Sequence, residues 1–162
     1  KCRGSGKLIK EKCKECHGSG LLEKTKTIEV KIPAGIDNGN HIRLSGEGEL
    51  SNDKISGDLY IVIHILPHKI LQREGPDIYT EQKISFTLAA LGGKIEVPTL
   101  NGKINLKIPS GTQSHTVFRL KGEGIKKLHG YGDGDLYVKT IIDVPSKLTT
   151  KQKKLLEEFD RN

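Results

Sequence analysis

Four landmarks recur in order along this chain at a nearly constant displacement. KIPAG at 31–35 returns as KIPSG at 107–111 and RLSGEG at 43–48 returns as RLKGEG at 119–124, both 76 residues on. GDLY at 57–60 returns at 134–137, 77 residues on, and Pro67 is matched by Pro145 at 78. A fixed-period repeat restricts the architecture more than any single motif, because each copy must be a structural unit in its own right. In 162 residues that means two small similar units rather than one large core.

Each copy reads as short strands joined by turns. Ile28, Val30 and Ile32 alternate with Glu29 and Lys31, the period-two pattern of a half-buried strand, which Pro33 and Gly35 stop. Leu59, Ile61, Ile63 and Ile65 share one face of the next strand with Tyr60 and Val62 on the other, so both faces are expected to be covered. In the second copy Asn101-Gly102 separates two alternating apolar runs, a hairpin signal because both residues tolerate positive φ. High sheet content in short strands favours small antiparallel sandwiches over a parallel sheet. Two stretches read as helix: SFTLAALGG, ended by Gly92, and LTTKQKKLLEEF, with Thr149 and Gln152 as a capping box. The second groups Leu155, Leu156 and Phe159 on one side. A helix this short must dock, on its own domain or on a partner.

Aligning the copies exposes a difference. Residues 77–106 precede KIPSG with strand, short helix and hairpin, whereas residues 1–27 precede KIPAG with a cysteine cluster. The economical reading is a cysteine-rich module inserted into the first unit, whose opening strand lies upstream of Lys1. The chain, which begins at Lys1 and contains no Met, is accordingly expected to be a fragment. CKEC at 13–16 is one complete CxxC knuckle, and Cys2 reads as the second cysteine of another. Structural Zn²⁺ takes four ligands in a tetrahedron, which two such knuckles supply. Cys2, Cys13 and Cys16 are the candidate ligands, and three cysteines do not close a four-sulfur site. His17 directly adjoins Cys16, poor geometry for both to bind one ion. Thiol chemistry is the standing alternative, since Lys12 and Lys14 would lower a thiol pKa, but glycines follow the motif where a redox CxxC opens a helix.

The net charge of +7 is concentrated at one end. Residues 1–26 hold eight basic and three acidic side chains, while the rest has a surplus of only two positive charges. No aromatic residue stands among those lysines to stack a base, which argues against nucleic acid as a partner. No apolar run approaches the ~18–20 residues of a membrane span, so no membrane partner is expected. An enzyme lacks its parts here: there is no nucleophile elbow, no HExxH and no paired carboxylates in a plausible cleft. GEGELSN and GYGDGD read as glycine turns rather than phosphate loops.

CKECHGSG preceded by CRGSG resembles the CxxCxGxG repeats of the DnaJ co-chaperones, in the bacterial form with a cysteine-rich module. VKIPAGIDNGNHIRLSGEGE, GDLYIVI, HKILQREGPDIY, TLAALGGKIEVPTLNGK and GDLYVKTIIDVP follow that family in order over essentially the whole chain. The resemblance implies a mostly β fold: two tandem small β-sandwich domains with short helices, part of a zinc module at the amino end and a C-terminal helix. The expected boundaries are 1–24 for the zinc module, 25–74 for an incomplete client-binding β domain, 75–146 for the second β domain and 147–162 for a dimerisation helix. It also implies a cytoplasmic, homodimeric, non-enzymatic chaperone that binds unfolded polypeptides and delivers them to a DnaK-type ATP-driven partner. Ile28, Val30, Ile61 and Ile63 fall on client-groove positions, and Leu155, Leu156 and Phe159 on the dimerisation helix. Two zinc ions are implied in the full-length protein; Cys13 and Cys16 match the fourth knuckle and Cys2 the third, so zinc here is expected to be weak or absent. The J domain with its His-Pro-Asp loop has no counterpart among these residues. The rival readings are a zinc-containing nucleic-acid-binding module and a weak thiol-disulfide oxidoreductase.

Overall fold

The structure is a computed structural model that describes residues 14–15, 22, 24–51 and 55–161. The chain divides into two compact units, Lys1–Lys31 and Ile32–Asn162. In the first, Lys14–Glu15 forms a turn and residues 24–31 run without an assigned strand. The second is mostly β, with eight strands and two short helices among the described residues: β1 (His41–Leu44), β2 (Leu59–Val62), β3 (Gln72–Glu74), β4 (Asp77–Ser85), α1 (Phe86–Leu91), β5 (Gly93–Thr99), β6 (Gly102–Ile108), β7 (Val117–Leu120), β8 (Leu136–Asp143) and α2 (Thr150–Asp160). Among the described residues these strands form a β1-β2 pair, a β3-β4-β8-β7 sheet and a β5-β6 hairpin.

The sequence repeat is reproduced bond by bond. In the first copy Arg43 opposes Tyr60 and Leu44 opposes Leu59; in the second Arg119 opposes Tyr137 and Leu120 opposes Leu136. The Asp of each GDLY latches its hairpin: Asp58 accepts the Gly46 N–H at 3.0 Å and pairs with Arg43 at 2.6 Å, while Asp135 accepts the Gly122 N–H at 2.9 Å and pairs with Arg119 at 3.4 Å. The glycine turns match too, with Gly48 N–H donating to Gly57 O and Gly124 N–H to Gly134 O. At the far end Gly39 N–H donates to Ile63 O and His115 N–H to Thr140 O. That equivalence explains the one positive-φ residue other than glycine among those described: His115, at φ 68°, inherits the left-handed conformation that Gly39 adopts at 79°.

Packing is far less equal. Ile78, Ile84, Ala89, Val97, Leu106, Ile108, Leu136 and Val138 form the buried hydrophobic core, all within the second copy and the elements before it. They come from one face of β4 and β8, from the β5-β6 hairpin and from α1. Alternation places them: Ile78, Thr80 and Ile84 of β4 and Leu136, Val138 and Thr140 of β8 are buried at every second position, broken only by the half-buried Gln82. α1 is held by Ser85, whose side chain accepts from the Leu88 N–H, and ends at Gly92, whose N–H donates to Leu88 O. The turn of KIPSG docks on this helix, with Gly111 N–H bonded to Ala90 O and Thr112 N–H to Ala89 O.

Four expectations are corrected. The sheet is not purely antiparallel, because β4 and β8 pair in parallel at its centre. The strand expected at Ile28–Ile32 is not assigned: Ile32 is 62 % exposed, whereas the matching Ile108 in β6 is 1 % exposed because β5 supplies its ladder partner. Only one face of β2 is covered, since Leu59 and Ile61 are half-buried while Tyr60 and Val62 are exposed. The hairpin turn lies one residue earlier than expected, on Leu100 and Asn101, with Gly102 opposite Thr99 and alone taking positive φ there.

The latch at Asp58 is sensitive to acid. The Gly46 N–H, followed by Arg43, holds its carboxyl below the ordinary value of 3.8. A depressed folded pKa contributes stability above the unfolded value and loses it as pH falls through the folded one. Exchange of the Gly46 amide should therefore stay slow above about pH 4 and accelerate below it, measured relative to Gly48, whose acceptor is a carbonyl that does not titrate. Parallel behaviour of the two amides would dismiss the latch.

Candidate functional site

The positions expected to meet a client fall in both units. Ile28 and Val30 are half-buried residues of the first, in segment 24–31, which has no assigned strand or helix. Ile61 lies in β2 and Ile63 just beyond it, both half-buried, in the second. The Asp58 latch fixes the start of β2, and the paired bonds Gly39 N–H to Ile63 O and Ile63 N–H to Asn40 O, 2.8 and 2.9 Å, fix its end. This pins the register and keeps Ile61 and Ile63 on one face.

The repeat supplies an internal control for that face. Ile61 and Ile63 correspond to Val138 and Thr140, and both of those are 0 % exposed. They are sealed because β4 lies along β8 and brings Ile78, Thr80 and Ile84 to the same side, with Ala89 of α1 in the same core. Among the described residues β2 has β1 as its one strand neighbour. The same backbone motif is thus closed in one copy and only half-covered in the other.

Past the end of β2 lies a cleft of about 870 Å³ that sequence reasoning did not anticipate. Ile65, Leu66 and Leu71 line it from the chain leaving β2, and Pro98 and Leu100 from the tip of the β5-β6 hairpin. Its wall is tied by Arg73, which donates to Ile36 O at 2.7 Å, Gly35 O at 3.0 Å and Gly75 O at 2.8 Å. Gly35 also abuts the backbone of Lys126 and Leu128 so closely that any side chain would clash. The signal available in the sequence was the run Ile65-Leu66-Pro67, apolar residues past the end of a strand with no alternation to bury them. On the outer face of the β3-β4-β8-β7 sheet Tyr79 and Tyr137 stack with ring centres 5.0 Å apart. Burial, then nearby Glu74, pushes the Tyr79 phenol pKa up.

The remaining candidates are surface features or lie outside the described residues. α2 forms with its capping box, Thr149 accepting from Gln152 N–H and Gln152 Oε1 from Thr149 N–H. No residue of it is buried, and Leu155, Leu156 and Phe159 are exposed, Phe159 to 71 %. Packing of this stripe on its own domain is therefore not what the structure has. Cys2, Cys13 and Cys16 lie outside the described residues, and only the Lys14–Glu15 turn inside CKEC is seen. Among the described residues no group of three His, Cys, Asp or Glu side chains is placed to hold a metal, and no helix is long and apolar enough to cross a membrane.

Comparison with known proteins converges on one family. The profile of the DnaJ C terminal domain matches residues 3–145. Chaperone protein DnaJ of Halalkalibacterium halodurans is 53 % identical over 159 residues, covering 98 % of this chain and 43 % of that protein. The same-named proteins of Bacillus mycoides and Bacillus cereus are 56 % and 55 % identical over 153 residues, covering 94 % of this chain and 42 % and 41 % of theirs. The chain thus spans less than half the length of these curated relatives. With two latched hairpins in matching register and a family profile over most of its length, the chain belongs to the DnaJ C-terminal domain family.

Proposed function

We propose that this chain is the client-binding portion of a DnaJ-type co-chaperone, capturing unfolded polypeptide on its first β unit. In the whole protein it would pass that polypeptide to a DnaK-type ATP-driven chaperone, in the cytoplasm, without itself being an enzyme. The observation that carries this reading is the half-buried Ile61–Ile63 face where the second copy has the sealed Val138–Thr140 face. An extended client segment would lie along β1-β2 and set an apolar side chain against Ile61 and Ile63, and in the other unit Ile28 and Val30 are proposed as client-binding positions in their own right. The relatives' printed name supports a chaperone, and nothing in them supports the nucleic-acid or thiol-disulfide readings. On this reading residues 25–74 and 75–146 are tandem sandwich-like domains, the first completed by further chain of the kind the longer relatives carry.

Burying one large apolar side chain contributes about 1.5–3 kcal/mol. Ile61→Asp should therefore weaken binding to a reduced, permanently unfolded polypeptide by roughly tenfold or more. The Tyr79–Tyr137 pair, in the other copy, should keep its near-ultraviolet dichroism and so report an intact second unit. Unchanged affinity with that signal retained would overturn the groove.

Residues 1–24 are proposed as part of a zinc module. The turn at Lys14–Glu15 is what a CxxC knuckle needs to bring two sulfurs to one ion, and Cys2, Cys13 and Cys16 would be the ligands this chain contributes. Zinc bound there would brace the loop rather than take part in a reaction. In the longer protein two ions are expected, and with three thiolates this chain should hold metal weakly. Metal analysis after dialysis against a mild chelator should find well under one zinc per chain; one tightly held ion would contradict this.

The exposed stripe of α2 supports a homodimer through Leu155, Leu156 and Phe159. Light scattering should give a dimer mass that falls to the monomer when residues 149–162 are removed. Equal masses before and after removal would dismiss the helix as the interface.

A further inference from the structure

Two Asn-Gly pairs stand on turns, Asn38-Gly39 and Asn101-Gly102, and the structure treats them differently. Asn38 is held on both sides of its reactive bond. Its Oδ1 accepts the Ile65 N–H at 3.0 Å, and the Gly39 N–H donates to Ile63 O at 2.8 Å. The second copy keeps the first of these bonds with another residue: Ser114 Oγ accepts the Ile142 N–H at 3.3 Å. The fold therefore uses position 38 as an acceptor that ties the turn to the chain beyond β2.

Asn101 is held by its own hairpin alone, Gly102 closing the ladder opposite Thr99. It is one of the two residues that cross from Thr99 to Gly102 at the hairpin tip, and it is exposed. Among the described residues its backbone N–H bonds to Thr99 Oγ1 at 3.3 Å, while its carboxamide makes no hydrogen bond. Gly102 sits at φ 133°, and the space a Cβ would occupy there is empty to 4 Å. A two-residue tip with few tertiary bonds is among the segments that open at least cost.

We propose that Asn101 is a site of spontaneous isoaspartate formation in the native protein, and that Asn38 is protected from the same reaction. The Gly102 backbone nitrogen, after giving up its proton to hydroxide, attacks Asn101 Cγ. A C–N bond forms, the Cγ–Nδ2 bond breaks and ammonia leaves, giving a five-membered succinimide. Water then opens either carbonyl to give aspartate or isoaspartate, so the net change is one water consumed and one ammonia released. The product carries a new negative charge, and in isoaspartate an extra methylene in the backbone. Both arise at the tip of the hairpin whose Pro98, Thr99 and Leu100 line the cleft that Asp37 also borders. The chemistry thus places an age-dependent charge beside that cleft.

The test uses the native chain incubated in mildly alkaline buffer, with enzymatic isoaspartate labelling and peptide mapping of both sites over time. Asn101 should convert several-fold, up to about tenfold, faster than Asn38, the factor carried by the one net hydrogen bond that holds the Asn38 carboxamide and is missing at Asn101. In denaturant the two sites should convert at similar rates, since both are Asn-Gly. Asn101→Gln should remove the early acidic species from the native sample. Equal native rates, faster conversion at Asn38, or an Asn101 that stays intact while the denatured chain converts would each overturn the proposal.

Discussion

The parallel ladder between β4 and β8, eight residue pairs long, carries the packing on which the rest of the fold depends. It joins residues far apart in sequence, so its entropic cost must be met by burial. Ile78, Ile84, Leu136 and Val138 meet along it, each almost wholly removed from water. β7 and β3 extend the sheet on either side, while α1 and the β5-β6 hairpin add Ala89, Val97, Leu106 and Ile108 to the same core. The join is also fixed by polar bonds at its entrance. Asp77 accepts the Asp135 N–H at 2.8 Å, Ile78 N–H donates to Asp135 O, and Pro76 O accepts from Ile125.

That ladder divides the two copies of the repeat. Both have the same latched hairpin, the same glycine turns and the same closing bonds at the far end of the strand. Only the second places a strand equivalent to β4 on it among the described residues. The consequence is local and specific: identical backbone positions are sealed at Val138 and Thr140 and half-covered at Ile61 and Ile63. On the proposed reading a chaperone uses this difference directly, with one copy supplying a stable body and the other the surface that meets unfolded chains. Arg73 joins the two roles, because it belongs to β3 of the stable sheet and holds the Gly35–Ile36 turn of the first copy.

Much of this was legible in the sequence because it is local. The capping box of α2, the Gly92 stop of α1 and the hairpin near Asn101 all depend on residues within a few positions of one another. The repeat was legible too, and it carried more than similarity, since Arg43–Asp58 and Arg119–Asp135 recur with it. The parallel pairing was not legible. Alternation along β4 shows which residues are buried but not which strand lies beside them, and β8 is 58 residues away. The failure at Ile28–Ile32 has the same origin, because a strand needs a ladder partner and alternation alone cannot supply one. The cleft past β2 was missed because its walls come from segments far apart in sequence, residues 37–38, 65–73, 98–100 and Ile125 among them. The placement of Cys2, Cys13 and Cys16 is not among the described residues, and the zinc reading still rests on their spacing.

The central claim is that the β1-β2 face receives client while the matching face of the second copy is closed by its own strand. Backbone amide exchange at residues 59–65 and 136–142, with and without saturating unfolded polypeptide, tests it most directly. The account predicts that 59–65 exchanges faster in the unliganded chain and gains protection on binding, while 136–142 is slow throughout. Client-induced protection at 136–142 with none at 59–65 would contradict it.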